Sequence, residues 1–312
     1  MSDILQWESM TDAEKIAVKV ASEASFEAFM RLFFQLIQGQ KFKTNWHHKF
    51  ECNLAEDVYY GKIKRGIINV APGSTKTEIW SIHWIAWCII KCISDDNPRS
   101  SRWLPLSYSD ELVTENAKRV KEILDSEEFQ TLWPVTVDRR TKSSANWQFN
   151  DQNGNRHRLY GTSLNGQVTG RRGGYMVDNC FTGAVILDDP MPPKDMDSGL
   201  LMDKGNKKLN RVVRSRLAHD DVPIIMIQQR IAKGDSTDFL QSDKAPDDYE
   251  QFKVPALIDQ EYIDSLPDEM KAACIRDTGF NGKRCSYWPD KEPTSTLLKM
   301  EKADNYMFSA QY

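Results

Sequence analysis

Apolar side chains recur at helical spacing along the first sixty residues of this chain. Between residues 11 and 40 they fall every three or four positions, which predicts one or two amphipathic helices that pack by one face. A second helical pattern runs from Trp46 to Tyr60, and Gly61 follows it, where a C-cap glycine is expected. These patterns predict an N-terminal helical segment.

After this segment the patterns of strand and helix alternate. Residues 65–70 form an apolar run that predicts a buried strand, and residues 79–90 are apolar nearly all round, as in a helix between a sheet and an outer layer. Residues 102–109 then predict a strand and residues 110–124 a helix. This alternation predicts an α/β fold with a mainly parallel sheet flanked by helices.

The second half of the chain adds a hairpin, a glycine-rich stretch and two strands. Residues 146–160 alternate polar and apolar on both sides of an Asn-Gly pair, which predicts a β-hairpin. Residues 161–174 predict a solvated loop that carries Arg171 and Arg172. Residues 183–187 and 222–227 are apolar runs that predict two further buried strands.

A basic helical pattern lies between these two strands. We interpret it as a solvated face, with contacts to DNA phosphates or to a neighbouring subunit as the alternative. Its cations are Lys204, Lys207, Lys208, Arg211, Arg214 and Arg216.

Composition narrows the class of protein. The 312 residues suit one large or two modest domains, and 28% charged with 40% hydrophobic residues is typical of a soluble globular protein. The net charge of −4 gives no overall attraction to DNA, so DNA binding would need local patches.

Cysteine usage and hydropathy give the expected compartment. The six cysteines show no CxxC pair, which indicates neither a disulfide framework nor a zinc site and favours a reduced, cytoplasmic setting. The start of the chain lacks the basic and apolar regions of a signal peptide, and residues 79–93 are too short and too rich in tryptophan for a membrane span. We therefore predict neither secretion nor a membrane anchor.

Candidate chemistry begins where the first predicted strand ends. Pro72, Gly73, Ser74 and Thr75 are followed by Lys76 and Thr77, a pattern similar to a phosphate-binding (Walker A) loop. In such a loop backbone N–H groups face the phosphates, the lysine neutralises β/γ oxygens and the threonine hydroxyl binds Mg²⁺. Thr75 stands where the usual pattern has glycine, so either the loop is reshaped or the segment is an ordinary Pro-Gly turn.

A pair of carboxylates follows a later strand. Asp188 and Asp189 end the apolar run 183–187, and the carboxyl ends of parallel strands open on the ligand crevice. One acid can hold Mg²⁺ while its neighbour orients or deprotonates the attacking water. A strand that simply ends in an Asp-Asp-Pro turn is the alternative. Residues 228–230, Gln-Gln-Arg, end the last strand on the predicted γ-phosphate side and could sense hydrolysis.

The order and spacing of these segments resemble the large subunit of the tailed-bacteriophage terminase, the DNA-packaging motor. The similarity covers roughly residues 42 to 312. It is carried by residues 61–78, Ser107–Leu112, Thr169–Arg171, Ile186–Pro190, Gln228–Arg230 with Asp235, Tyr287–Pro289 and Phe308–Tyr312.

The resemblance implies a RecA-like P-loop ATPase of the additional-strand (ASCE) class, which uses ATP and Mg²⁺. It also implies a homo-oligomeric ring on the capsid portal that drives double-stranded viral DNA inward, although the isolated chain is expected to be a monomer. The implied partners are this DNA, the portal protein and the small terminase subunit, and the implied location is the host cytoplasm.

The resemblance also implies a division into three segments. Residues 1–60 would be a helical segment packed on the core, residues 61–255 the ATPase core, and residues 256–312 a C-terminal helical or linker subdomain. That subdomain would lead to a nuclease domain that we expect to be absent from this chain, so DNA cutting is not expected.

By the same resemblance, Lys76 and Thr77 bind the phosphates and Mg²⁺, Asp188 lies on the metal side, and Gln229 belongs to the coupling motif. Either Arg171 or Arg172 is the finger that reaches a neighbour's nucleotide.

One role stays open. Asp189 stands where many members carry a catalytic glutamate, so the water-activating residue is Asp189 or Glu78. Two other functions also stay open: a helicase-like remodelling ATPase of the same fold, and a nucleotide-binding regulatory or weakly active module.

Overall fold

The computed structural model describes residues 6–138, 140–141, 143–166, 170–177, 179–195 and 198–312, without the side chain of Ala310. A nine-stranded sheet forms its centre, and helices cover both faces. The α-helices are α1 (Asp12–Ala24), α2 (Phe26–Gln38), α3 (Trp46–Tyr59), α4 (Trp84–Ser94), α5 (Asp110–Asp125), α6 (Glu127–Leu132), α7 (Gly199–Arg214), α8 (Ser236–Leu240), α9 (Gln260–Ser265), α10 (Asp268–Thr278), α11 (Thr294–Ala303) and α12 (Asn305–Gln311).

The strands follow the alternation expected from the sequence. They are β1 (Arg65–Val70), β2 (Ser101–Ser107), β3 (Val135–Val137), β4 (Asn146–Asp151), β5 (Arg156–Tyr160), β6 (Thr162–Ser163), β7 (Val185–Asp188), β8 (Ile224–Gln228), β9 (Glu250–Val254), β10 (Leu257–Ile258) and β11 (Cys285–Ser286). Short 3₁₀ turns occupy Trp7–Ser9 and Pro193–Asp195, and a π-helical segment spans Glu78–His83.

The strand order places the ends of three strands together. It runs β3-β4-β5-β2-β7-β8-β1-β9, with β6 paired to β2. The core pairs are parallel, and only the β3–β4 and β4–β5 pairs of this sheet are antiparallel. Strand β8 lies between β1 and β7, which is the arrangement that the additional-strand class denotes. The predicted fold class, a mainly parallel α/β sheet of RecA-like order, is confirmed.

The N-terminal helices form for local reasons that the sequence shows. Thr11 caps α1 in a capping box, in which its backbone N–H donates to Glu14 Oε2 at 2.7 Å and its hydroxyl accepts from the Glu14 N–H at 3.3 Å. Gly39 ends α2 in the left-handed conformation, with φ of 64°. Both predicted helical patterns and the 146–160 hairpin are confirmed.

The two faces of the sheet are covered differently. Alternate side chains of β8 divide between two cores: Ile225 and Ile227 face α3, α4 and the N-terminal helices, while Ile224 and Met226 face α7. The first core joins residues from all three predicted segments, for example Phe29, Ile85 and Tyr287. The segment boundaries themselves stay a prediction.

The expectation of a solvated loop over residues 161–174 is wrong in part, because β6 pairs with β2 and both Gly173 and Gly174 are buried.

Within the described ranges, no helix combines the length and the apolar character needed to cross a bilayer.

Candidate functional site

The turn after β1 contains two residues with positive φ. Gly73 has φ of 70°, and Thr75 has φ of 66°, in the left-handed region that disfavours a β-branched residue. The Thr75 hydroxyl donates to Ser74 O at 2.5 Å. A non-glycine residue held there costs on the order of 1–3 kcal/mol, so the turn is strained at Thr75.

The same turn presents unused backbone donors. The N–H of Ser74 closes the turn onto Ala71 O at 3.3 Å, but in the described part of the chain the N–H groups of Gly73 and Thr75 have no acceptor. Free backbone N–H groups in a turn of this kind can bind an anion. The loop therefore has the donors that phosphate oxygens require.

The structure brings Lys76, Thr77, Asp188 and Asp189 together. Lys76 Nζ lies 3.8 Å from Asp189 Oδ2, and the Thr77 hydroxyl donates to Asp188 Oδ1 at 3.2 Å. The side chain of Lys76 is only 9% exposed. These contacts follow from the topology, because β1, β8 and β7 are adjacent and parallel and their carboxyl ends meet at one edge.

Asp188 is held by three side-chain donors. Besides Thr77, Ser81 Oγ donates to its Oδ2 at 2.7 Å and Asn116 Nδ2 at 3.3 Å. Burial and the neighbouring charge of Asp189 nevertheless raise the pKa of Asp188 to about 6. Sequence reasoning missed Ser81 and Asn116; the available signal was that Ser81 is a polar residue four positions after Thr77 in an otherwise apolar helix.

Ser81 lies in a segment of unusual helical geometry. Residues Glu78–His83 form a π-helix, and the N–H of Trp84 bonds to Ile79 O, five residues back. The sequence predicted a helix here but not its wider turn. π-Helical turns inside helices are frequent at functional sites, and this one directs Ser81 towards Asp188.

Asp189 is the second non-glycine residue near this turn with a positive φ, of 43°. One oxygen of its carboxylate, Oδ1, is buried and has no hydrogen-bond partner among the described residues. The backbone of Asp189 is fixed by Ile227 O at 2.9 Å and by the Tyr108 N–H at 3.2 Å. Burial raises the pKa of Asp189, against the opposing effects of Lys76 and the backbone N–H of Gln229.

Glu78 is engaged elsewhere. Its carboxylate contacts Arg119 Nη2 at 2.5 Å and His83 Nδ1 at 3.2 Å. Burial alone would raise the pKa of Glu78, but His83 and Arg119 together lower it. His83 is thus a buried histidine with a hydrogen-bonded ring, and Glu78 has less geometric support as a water-activating residue than Asp189.

The two candidate finger arginines directly precede a segment at the amino end of β7. Just after them, Gly173 lies beside Ala184 and Val185 at the amino end of β7, and the Gly174 N–H bonds to Arg102 O at 2.8 Å. Arg171 stacks on the Tyr160 ring at 3.8 Å, and both Arg171 and Arg172 are exposed. Thr169, which the resemblance includes, lies outside the described residues.

The end of β8 carries the predicted coupling segment. Gln228 is fully buried, and neither of its amide atoms has a hydrogen-bond partner in the described structure. Gln229 follows it, with its N–H near the Asp189 carboxylate. Arg230 is held by Asp235 at 2.9 Å and by Asp238 at 2.6 Å.

A cavity of about 270 Å³ opens beside the turn that follows β1. It lies where β1 and β9 end, and most of its surface is apolar. Its lining includes Val70, Ala71, Val254, Tyr262 and Tyr312.

The donors present suit Mg²⁺ bound together with phosphate. No cluster of three or more His, Cys, Asp or Glu side chains that could hold a metal alone occurs in the ranges described. Thr77 and Asp188 supply a hydroxyl and a carboxylate oxygen 3.2 Å apart in the crevice. Mg²⁺ prefers oxygen ligands and keeps several waters, and it is usually bound by one or two protein groups plus substrate phosphates.

No protein-family model and no curated protein matches this chain. Solved structures of phage large terminases are similar to it at low identity. The large terminase of a thermophilic bacteriophage is 11% identical, with a TM-score of 0.40 over 73% of this chain and 50% of that one. The bacteriophage HK97 large terminase is 17% identical, with a TM-score of 0.46 over 75% of this chain and 44% of that one.

A third structure is the ATPase domain of the Thermus phage P74-26 large terminase. It is 14% identical, with a TM-score of 0.35 over 70% of this chain and 90% of that domain. The chain spans about half the length of the thermophilic-phage and HK97 proteins. All three belong to the family that the sequence resembles.

Proposed function

We propose that this chain hydrolyses ATP and thereby drives double-stranded viral DNA into a procapsid, as the ATPase domain of a terminase large subunit. One observation supports the hydrolase: Lys76, Thr77, Asp188 and Asp189 meet at adjacent strand ends, with Lys76 Nζ 3.8 Å from Asp189 Oδ2. The DNA-packaging role rests on the order of the sequence motifs.

Binding of ATP would use the loop and the adjoining cavity. The free N–H groups of Gly73 and Thr75 and the ammonium of Lys76 would bind phosphate oxygens. Thr77 and Asp188 would hold Mg²⁺, which when bound neutralises phosphate charge. The apolar cavity beside Val70 is of the kind that accepts the nucleoside.

Hydrolysis would divide the work between the two acids. Asp188, held by three donors, is positioned for the metal side. Asp189 has the free Oδ1 that a water molecule needs as acceptor, and its raised pKa brings it closer to the working range of a general base. Lys76 would then leave Asp189 and stabilise the charge on the transferring phosphoryl group.

An arginine from a neighbouring subunit would complete the site. Arg171 and Arg172 are exposed and precede residues at the amino end of β7, so the pair is accessible to a neighbour in a ring. Mixing Arg171→Ala with Lys76→Ala should restore hydrolysis in mixed rings. Rates that follow simple dilution of the two variants would contradict an intersubunit finger.

The remaining partners are proposed from the same motif order. The DNA, the portal protein and the small terminase subunit would be met in the host cytoplasm. On α7, the side chains of Lys204 and Arg211 are exposed and have no ion-pair or hydrogen-bond partner among the described residues, so they are the cations most available to DNA phosphates.

The test is hydrolysis of ATP with Mg²⁺ by the whole chain. Lys76→Ala should lower kcat/KM by about 100-fold or more, because it removes a charge that stabilises the transition state. Lys299→Ala, at an exposed position of α11, is the matched control and should leave the rate unchanged. Hydrolysis that survives in Lys76→Ala would overturn the proposal.

A regulatory nucleotide-binding module is the second candidate. It is favoured by the strained Thr75 and by the short acid at 189. Tight ATP binding without turnover by the wild-type chain would support it over the motor. Duplex unwinding that needs no portal would instead support the helicase-like ATPase.

A further inference from the structure

A lysine from the C-terminal segment reaches the phosphate loop. Lys291 Nζ donates to Pro72 O at 2.9 Å and lies 2.6 Å from the place where a Cβ on Gly73 would stand. A glycine at position 73 therefore leaves room for this ammonium. Nowhere in the described chain does an acid lie within ion-pair distance of Lys291, so a carbonyl is its hydrogen-bonding partner.

The turn that carries Lys291 is fixed to the start of α3. The Lys291 N–H bonds to Trp288 O at 3.1 Å, and Trp288 packs on His48 with ring centroids 4.8 Å apart. Just before it, Tyr287 O accepts from Asn45 Nδ2 at 2.8 Å. These buried contacts hold the C-terminal segment beside the loop and give Lys291 a defined position.

The surroundings of Lys291 carry positive charge that an anion would neutralise. Lys291 is exposed by surface area, but desolvation where it contacts the loop lowers its pKa, and repulsion from the ammonium of Lys76 lowers it further, in spite of Glu292. Two ammonium groups beside unused backbone N–H groups create a local positive potential. An oxygen with full negative charge attracts an ammonium more strongly than the partial charge of a carbonyl oxygen does.

We propose that Lys291 is a second phosphate-contacting lysine, which exchanges Pro72 O for a phosphate oxygen when nucleotide binds. The inference rests on the proposed function. It makes the position of residues 285–312 depend on nucleotide, because the same turn that carries Lys291 joins β11 to α11.

Equilibrium binding of fluorescent ATP, ADP, AMP and adenosine to the full chain tests this. Lys291→Ala should weaken ATP and ADP binding about tenfold, the effect of one hydrogen bond to a charged group, and should leave adenosine binding unchanged. Lys291→Arg should retain most of the affinity. Lys299→Ala, an exposed lysine of the same segment, should match the wild type.

The outcomes separate the two proposals. If the wild-type chain does not bind ATP, or binds it no more tightly than the Lys76→Ala variant does, both the proposed function and the Lys291 contact are overturned. ATP binding that depends on Lys76 but is unchanged in Lys291→Ala would overturn the Lys291 contact alone. A loss that is equal for adenosine and ATP would also overturn it, because the lysine would then act through the fold and not through phosphate.

Discussion

The two faces of the central sheet differ in how deeply they are covered. On one face the π-helical segment and α4 lie under α1 and α2, and Trp80, Trp84 and Trp87 are fully buried. The other face is covered by α7 and α8, over a smaller core that includes Leu209. We call them the thick and the thin face.

The candidate site is divided between these faces. Thr77 and Ser81, which hold Asp188, belong to the thick face. On the thin face, Asn69 Nδ2 donates to Thr237 Oγ1 at 3.1 Å, beside the unpaired amide of Gln228. The fixed charges of the site therefore rest on the heavily packed side, and the strand-end amides that could rearrange lie on the lightly covered side.

Cavity formation on each face is the strongest test of this difference. Trp84→Ala should lower the free energy of unfolding by about 3–5 kcal/mol, since it empties a large space and removes the Nε1 bond to Ala55 O. Leu209→Ala on the thin face should cost about 2–3 kcal/mol. Urea denaturation at constant m-value measures both, and an equal or larger loss for Leu209→Ala would break the comparison.

The thick face also buries an acid. Glu51 on α3 accepts a hydrogen bond from Trp80 Nε1 at 3.0 Å, while its Oε1 has no partner among the described residues. Burial raises the pKa of Glu51 to about 8, against the effects of Trp80 and Lys76. Because the folded state binds this proton more tightly, the stability it contributes is complete below about pH 4.5 and is lost as the pH rises to about 8.

Glu51→Gln should remove that pH dependence. Glutamine has the shape of the protonated acid and stays neutral, so the variant should exceed the wild type by about 2–3 kcal/mol at pH 7 and equal it near pH 4.5. Unfolding free energies measured between pH 4.5 and 8 give the comparison. Glu122→Gln on the exposed side of α5 is the control, and a Glu51→Gln curve parallel to the wild type would show that the acid is ionised in the fold.

Much of this organisation follows from local patterns. Helical periodicity and capping residues place α1 to α3, and the apolar runs place β1, β7 and β8. The meeting of Lys76 with Asp189 was predictable because parallel strands bring their carboxyl ends to one edge. The motif order was enough to indicate the fold class.

Contacts between distant segments leave no periodic trace. Asn116 reaches Asp188 across 72 positions and Lys291 reaches Pro72 across 219, so neither was visible in the sequence. The misjudged loop has the same origin: a Cβ on Gly173 would lie 2.9 Å from Val185 Cγ2, so that glycine serves a close approach and not solvation. The π-helical turn likewise differs from an α-helix by one hydrogen-bond register.

The loop strain at Thr75 gives the smallest and most local test. The loop joins β1 to the thick face, where Ser74 and Lys76 are buried on either side of Thr75 and hold it at φ of 66°. Thr75→Gly removes a left-handed penalty of about 1–2 kcal/mol but loosens the unfolded chain by about 0.5–1 kcal/mol. The variant should therefore gain somewhat less than about 1 kcal/mol of stability in urea denaturation.

Asn179→Gly is the matched control, because Asn179 also has a positive φ, of 59°, at an exposed position away from the site. Asparagine tolerates this conformation, so the control should gain less than Thr75→Gly. If Thr75→Gly instead gains less unfolding free energy than Asn179→Gly, the threonine is not strained. The hydrogen bond from the Thr75 hydroxyl to Ser74 O would then stabilise the conformation of the loop. Packing on the thick face would not be needed to keep Thr75 at a positive φ.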